Sequence, residues 1–139
     1  MGGAESAAVY KSLNSARTVL DTYMSSLRTK EVQAKYDVFK AAGGLGGGCR
    51  LCDGEPLKTY TYWKIIENKY PYGLFAKTHH MAVPIRHTDE SGMTQDEWYE
   101  WGTLKHTDID AQYEYLMEAT RKVKTIPSHF HIHLIVTKD

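Results

Sequence analysis

The chain has 139 residues, 42% of them apolar and 24% charged, and 17 Lys plus Arg balance 17 Asp plus Glu. That length supports one domain around one core, and without a basic excess neither nucleic acid nor a membrane surface is the expected partner. No apolar run approaches the roughly 20 residues of a bilayer span, and no basic start with an apolar stretch marks a secretory leader, so the expected compartment is the cytoplasm.

Residues 1–42 read as an N-terminal helical extension. Val9, Ala16 and Tyr23 recur every seven residues, as do Leu13, Leu20 and Leu27, which gives one apolar stripe. The stripe can pack on its own domain or pair with a second chain. A seam containing Ala and Tyr favours the first. Met1-Gly2 with Ser6 also fits a short N-myristoylation pattern that chance produces often. Residues 43–48 hold five glycines and lack the Lys-Ser/Thr ending of a phosphate loop, so they read as a flexible hinge. Cys49-x-x-Cys52 follows; in a cytosolic chain this spacing suggests half a metal site or a redox pair, not a structural disulfide.

Residues 49–139 carry the remaining elements. Thr59–Ile66 is rich in Tyr, Trp, Thr and Ile and reads as a strand. Glu67–Gly73 reads as a turn and His79–Ile85 as a second strand. Thr94-Gln95-Asp96-Glu97 fits a capping box. It predicts a helix with Trp98, Trp101, Tyr113, Leu116 and Val123 on its buried side, weak across Gly102–Asp108 and ended before Pro127. Ser128–Thr137 is the expected last strand. Strands, then a helix, then a strand point to an α+β domain with a mainly antiparallel sheet and a helix packed on it.

The last strand is the most informative segment. In His129-Phe130-His131-Ile132-His133-Leu134-Ile135-Val136, the period of a strand sends His129, His131 and His133 to one side and Phe130, Ile132 and Leu134 to the other. A polar face made only of imidazole supports metal binding or nucleophilic and acid–base catalysis near neutral pH. The strand alone leaves both open.

These residues resemble the signature of the histidine triad (HIT) superfamily, in which histidines alternate with apolar residues. Two further blocks agree: the acidic turn Glu67-Asn68-Lys69-Tyr70-Pro71-Tyr72, with the strand from His79 through Pro84 to His87, and the Cys49-x-x-Cys52 start found in zinc-bearing members. The resemblance leaves residues 1–40 unexplained. It implies a HIT-like domain over residues 49–139 in which His131 attacks the α-phosphorus of a nucleotide. A proton kept on the other ring nitrogen would be donated to the carbonyl of His129. His133 and His79 match positions that contact phosphate oxygens, while His80 falls off the pattern.

The resemblance also implies structural zinc on Cys49, Cys52, His87 and His129, a homodimer, and nucleotide contacts from Asn68, Thr125 and Ser128. Lys124-Thr125-Ile126-Pro127-Ser128 stands where the family carries Gly-Gln-Ser/Thr, and Gly73 stands where an Asp often follows the turn. Thr125, Ser128 or Lys124 would have to handle the leaving group. The expected function is a hydrolase or transferase acting on nucleoside phosphoramidates, dinucleoside polyphosphates or nucleotide sugars. The alternatives are a nucleotide-binding regulatory protein with little catalysis, and a metalloprotein whose strand histidines are themselves the ligands.

Overall fold

A computed structural model describes residues 27–139. The stripe positions Val9 to Tyr23 and the Met1-Gly2 pattern lie outside them; Leu27, the last member of the stripe, is exposed in a bend, so the expected helix over residues 1–42 is interrupted before Thr29. Helix α1 spans Lys30–Ala41, opened by the Thr29 hydroxyl, which accepts the Val32 N–H at 3.3 Å. It closes on glycine: Gly43 adopts φ +81°, and the N–H groups of Gly43 and Gly44 donate to the carbonyls of Lys40 and Phe39. A Cβ on Gly44 would overlap the Phe39 ring, so only glycine lets the chain turn back this closely.

The short helix α2 (Arg50–Asp53) carries Cys52 and is preceded by Cys49. Strands β1 (Pro56–Thr59), β2 (Trp63–Glu67) and β3 (Ala76–Pro84) come next. Helix α3 (Gln95–Leu104) runs through a wide π turn at Lys105–Ile109 into α4 (Asp110–Gln112). Strands β4 (Tyr115–Met117) and β5 (Ile132–Thr137) complete one antiparallel sheet in the order β1-β2-β3-β5-β4. The fold is therefore α+β, as expected. Among the described residues no helix is long and apolar enough to cross a membrane.

The capping box forms as expected. Thr94 Oγ1 accepts the Glu97 N–H at 3.1 Å, and Glu97 Oε1 accepts the Thr94 N–H at 2.8 Å. Several boundaries differ from expectation, β3 beginning at Ala76 and not at His79. The predicted strand Thr59–Ile66 is cut by a tight turn, closed by Tyr60 N–H donating to the Trp63 carbonyl at 2.7 Å. The last strand begins at Ile132, not Ser128. The helix stops at Gln112, which leaves Leu116 on β4 and Val123 exposed in a later turn; Trp98 is 38% exposed. The weak stretch is where it loosens: the Thr103 and Thr107 hydroxyls donate to the carbonyls of Tyr99 and Thr103 and compete with the regular ladder.

The sheet separates two layers. Trp63, Ile65, Ala82, Phe130, Ile132 and Leu134 meet Trp101, Leu104 and Ile109 from the helical side. On the other face Ile66, Met81 and Val83 pack with Leu51. His131 and His133 belong to this second face, where α1 and α2 lie, and the register that pairs Met81 with His133 brings β3 and β5 together beneath them.

Candidate functional site

Each imidazole at the start of β5, and in the residues that lead into it, is held by an identifiable partner. His131 is buried, and its Nδ1–H donates to the His129 carbonyl at 2.9 Å, as expected from the sequence. That bond puts the lone pair of a neutral ring on Nε2. Burial holds this ring below the usual histidine range despite the hydrogen bond to His129, and the Lys124 charge acts in the same sense.

A relay fixes the next ring. The Tyr72 N–H donates to His79 Nδ1 at 3.0 Å, so the His79 proton sits on Nε2. From there it is donated to His133 Nδ1 at 2.7 Å, which leaves the His133 proton on its own Nε2. Asn68 Oδ1 accepts the Tyr70 N–H at 2.9 Å, and this turns the amide nitrogen to donate to the Met81 sulfur at 3.7 Å. Tyr72 covers both rings, with centroids 4.5 Å from His79 and 5.1 Å from His133. Burial depresses both imidazoles to about 3; the Arg28 charge adds to it at His79 and the neighbouring histidines add to it at His133. All three rings are neutral at pH 7.

His131 and His133 line a cavity of about 370 Å³ together with Asn68, Thr125 and Lys124. Sequence reasoning missed its other wall. Tyr36 and Phe39 project from α1 toward Tyr70, with ring centroids at 4.9 and 5.5 Å. The Arg28 guanidinium lies 4.3 Å from the Tyr36 ring and 5.1 Å from that of Tyr72, and Arg50 lies 4.4 Å from Phe39 and 5.1 Å from Tyr70. The i, i+3 spacing of Tyr36 and Phe39 was the one available signal, since it puts both rings on one helical face.

The remaining expected residues lie elsewhere. Ser128 is exposed and lines a second hollow beside Cys49 and His87; Thr125 borders both. His79 stands behind His133 as its hydrogen-bond partner. His80 bonds to the Tyr113 hydroxyl at 2.7 Å, away from the cavity.

His129 turns to a different task. Its Nε2–H donates to the Pro84 carbonyl at 2.8 Å, so the Nδ1 lone pair faces Cys49 Sγ and Cys52 Sγ, each at 3.4 Å. His87 Nδ1 is 3.3 Å from Cys52 Sγ, and the four donor atoms all lie within 4.8 Å of one another. Metal–sulfur bonds of about 2.3 Å and metal–nitrogen bonds of about 2.0–2.1 Å give tetrahedral edges of roughly 3.3–3.8 Å. The two thiols and two imidazoles therefore fit a soft or borderline divalent ion with little movement. His129 joins the two centres: its ring faces the two cysteines, and its carbonyl orients His131.

No protein-family model matches the chain, and no curated protein matches it.

Proposed function

We propose that the chain is a nucleotide phosphate hydrolase or transferase of the histidine triad type that works through a nucleotidyl intermediate on His131. The observation that carries this is the lock on that ring. A buried, neutral imidazole gives its Nδ1 proton to the His129 carbonyl at 2.9 Å, keeps a lone pair on Nε2, and lines a cavity beside a second imidazole of fixed tautomer.

Attack by Nε2 forms a phosphorus–nitrogen bond, while the bond to the leaving group breaks and its electron pair departs with that group. Water then attacks the same phosphorus. The pair of the phosphorus–nitrogen bond returns to Nε2, the oxygen joins the nucleotide, and one proton is released to solvent. Two easier displacements replace one difficult step. The His133 Nε2–H donates to a non-bridging phosphate oxygen as negative charge builds on it. His79 and Tyr72 act through His133 by keeping that proton on the nitrogen where it is needed. Phe39 and Tyr70 offer flat apolar surface for a base, with Tyr36 buried beside them, and Asn68 and Thr125 offer polar contacts within the same cavity.

Zinc is the ion we assign to the Cys49, Cys52, His87 and His129 cluster, because two thiolates and two imidazoles complete a closed tetrahedral site of structural type. A bound ion supplies a cross-link from α2 to the ends of β3 and β5. We also propose a cytoplasmic homodimer, in which the exposed β4 edge, with Tyr115 at 62% exposure, would pair with a second copy.

The test is intact-protein mass after mixing wild type and His131→Asn with adenosine 5′-phosphoramidate, quenched in alkali because the phosphorus–nitrogen adduct is acid-labile. A transient nucleotidyl adduct in wild type alone, with AMP released, is the expected result. AMP binding without adduct or turnover would instead identify a nucleotide-binding regulatory protein. Folded protein that neither binds nor reacts would refute the proposal.

A further inference from the structure

The loop between β4 and β5 brings a cation to the cavity that the triad chemistry does not use. Lys124 lies at the end of a turn closed by its own N–H, which donates to the Thr120 carbonyl at 3.1 Å. Its side chain is only 10% exposed, and it lines the cavity with His131 and His133. A lysine ordinarily keeps its ammonium in water and buries only its stem. Holding the ammonium back from solvent is costly unless an anion offsets it.

The offset within the chain is incomplete. Glu118 stands 3.6 Å away and is 44% exposed, a long, half-solvated pair of the kind that contributes little. The Phe130 ring adds a weak cation–π contact at 5.5 Å. An ammonium has three donors, so capacity remains for an anion bound beside the nucleophile. Arg28, Arg50 and Lys69 also line the cavity, against Asp53 and Glu67, so cationic side chains outnumber acidic ones there although the whole chain is neutral.

We infer that Lys124 is the leaving-group residue of this site and that the site is built for nucleoside polyphosphate anhydrides in preference to phosphoramidates. This rests on the proposed nucleotidyl–His131 chemistry. When an anhydride is cleaved, the bridging oxygen leaves with the electron pair as part of a phosphate or polyphosphate anion. A cation at that position stabilises the charge as it develops. When a phosphoramidate is cleaved, the leaving amine takes up a proton and departs without negative charge, so a nearby cation contributes far less.

The experiment compares wild type, Lys124→Met and Lys124→Arg on diadenosine triphosphate and on adenosine 5′-phosphoramidate, reading kcat/KM on each and inhibition by inorganic pyrophosphate. Methionine keeps the buried stem, arginine keeps the charge, and unfolding midpoints verify that each variant is folded. In Lys124→Met, a loss of ~30-fold or more on the anhydride, about 10-fold larger than the loss on the amidate, and weaker pyrophosphate inhibition are expected; arginine should restore part of the anhydride rate. Equal losses on both substrates, or an unchanged anhydride rate, would overturn the inference. If wild type still forms the His131 adduct from the amidate, that failure belongs to Lys124 alone. A wild type that forms no adduct from either compound removes the underlying chemistry, and this inference with it.

Discussion

Acidification should destabilise this protein through the His79–His133 pair, and the size of the effect follows from their burial. Both rings sit near 4% exposure and titrate at about 3 in the folded chain, against 6.5 when unfolded. A group with a depressed folded value binds its proton more readily in the unfolded chain, so its contribution to stability falls as pH drops below the unfolded value and is fully lost by the folded one. At pH 5 the unfolded rings are about 1.5 units below their own titration point. Each then costs about 2 kcal/mol at 1.4 kcal/mol per unit, or about 4 kcal/mol for the pair. That is a large share of the ~5–15 kcal/mol that holds a domain together. Urea unfolding from pH 7.5 to 5 measures it. His79→Asn is the informative comparison, since its side-chain oxygen can still accept the Tyr72 N–H but cannot titrate. Wild type should lose about 2 kcal/mol more stability than the variant between pH 7.5 and 5, the share of the one ring removed, after metal content has been matched. Equal slopes, or stability that stays level down to pH 5, would show that the two rings take up protons as easily folded as unfolded, and the tautomer relay through His133 would go with them.

Removal of the metal should act on the neighbouring centre as well. Cys52→Ser or a strong chelator is expected to release one equivalent of zinc, lower the unfolding midpoint and slow turnover, because the residue whose carbonyl orients His131 loses the anchor on its own ring; metal analysis alongside activity checks this, and a metal-free protein with unchanged midpoint and rate would sever the link. Replacing the half-exposed α1 ring, Phe39→Ala, should raise KM for an adenine nucleotide by up to about 10-fold, from ~0.5–1.5 kcal/mol of ring stacking, without releasing the proposed zinc. Binding of AMP by calorimetry gives the same quantity without turnover, and unchanged affinity would remove α1 from the binding surface.

Much of the site was legible in the sequence where one backbone rule sufficed. The alternation along residues 129–134 sends Phe130, Ile132 and Leu134 into the core and leaves the histidines on the opposite side, because consecutive side chains of a strand must point apart. The capping box at Thr94 and Glu97 is equally local: three residues of separation bring both hydrogen bonds within reach. The Cys49, Cys52, His87 and His129 cluster came from the resemblance, and the fold brings all four together.

Other features depended on partners far away in the chain. The helix ends at Gln112 because the next residues pair with β5: the Glu114 backbone N–H donates to the Ile135 carbonyl and Tyr115 stands opposite Ile135, a gain no local apolar pattern encodes. The different fates of the three histidines are likewise tertiary. His129 turns to two cysteines some eighty positions earlier, and His133 meets His79 only through the register of β3 on β5. Lys124, Tyr36 and Phe39 become cavity residues only when a glycine turn returns α1 to the sheet and the loop before β5 closes beside it. By itself the sequence determined which side chains carry chemistry and which face of the last strand presents them, since both follow from covalent identity and strand period. Tertiary structure alone decided which nitrogen of His79, His129 and His133 holds its proton, because a tautomer is set by the partner opposite it, and for these rings that partner is supplied by the fold.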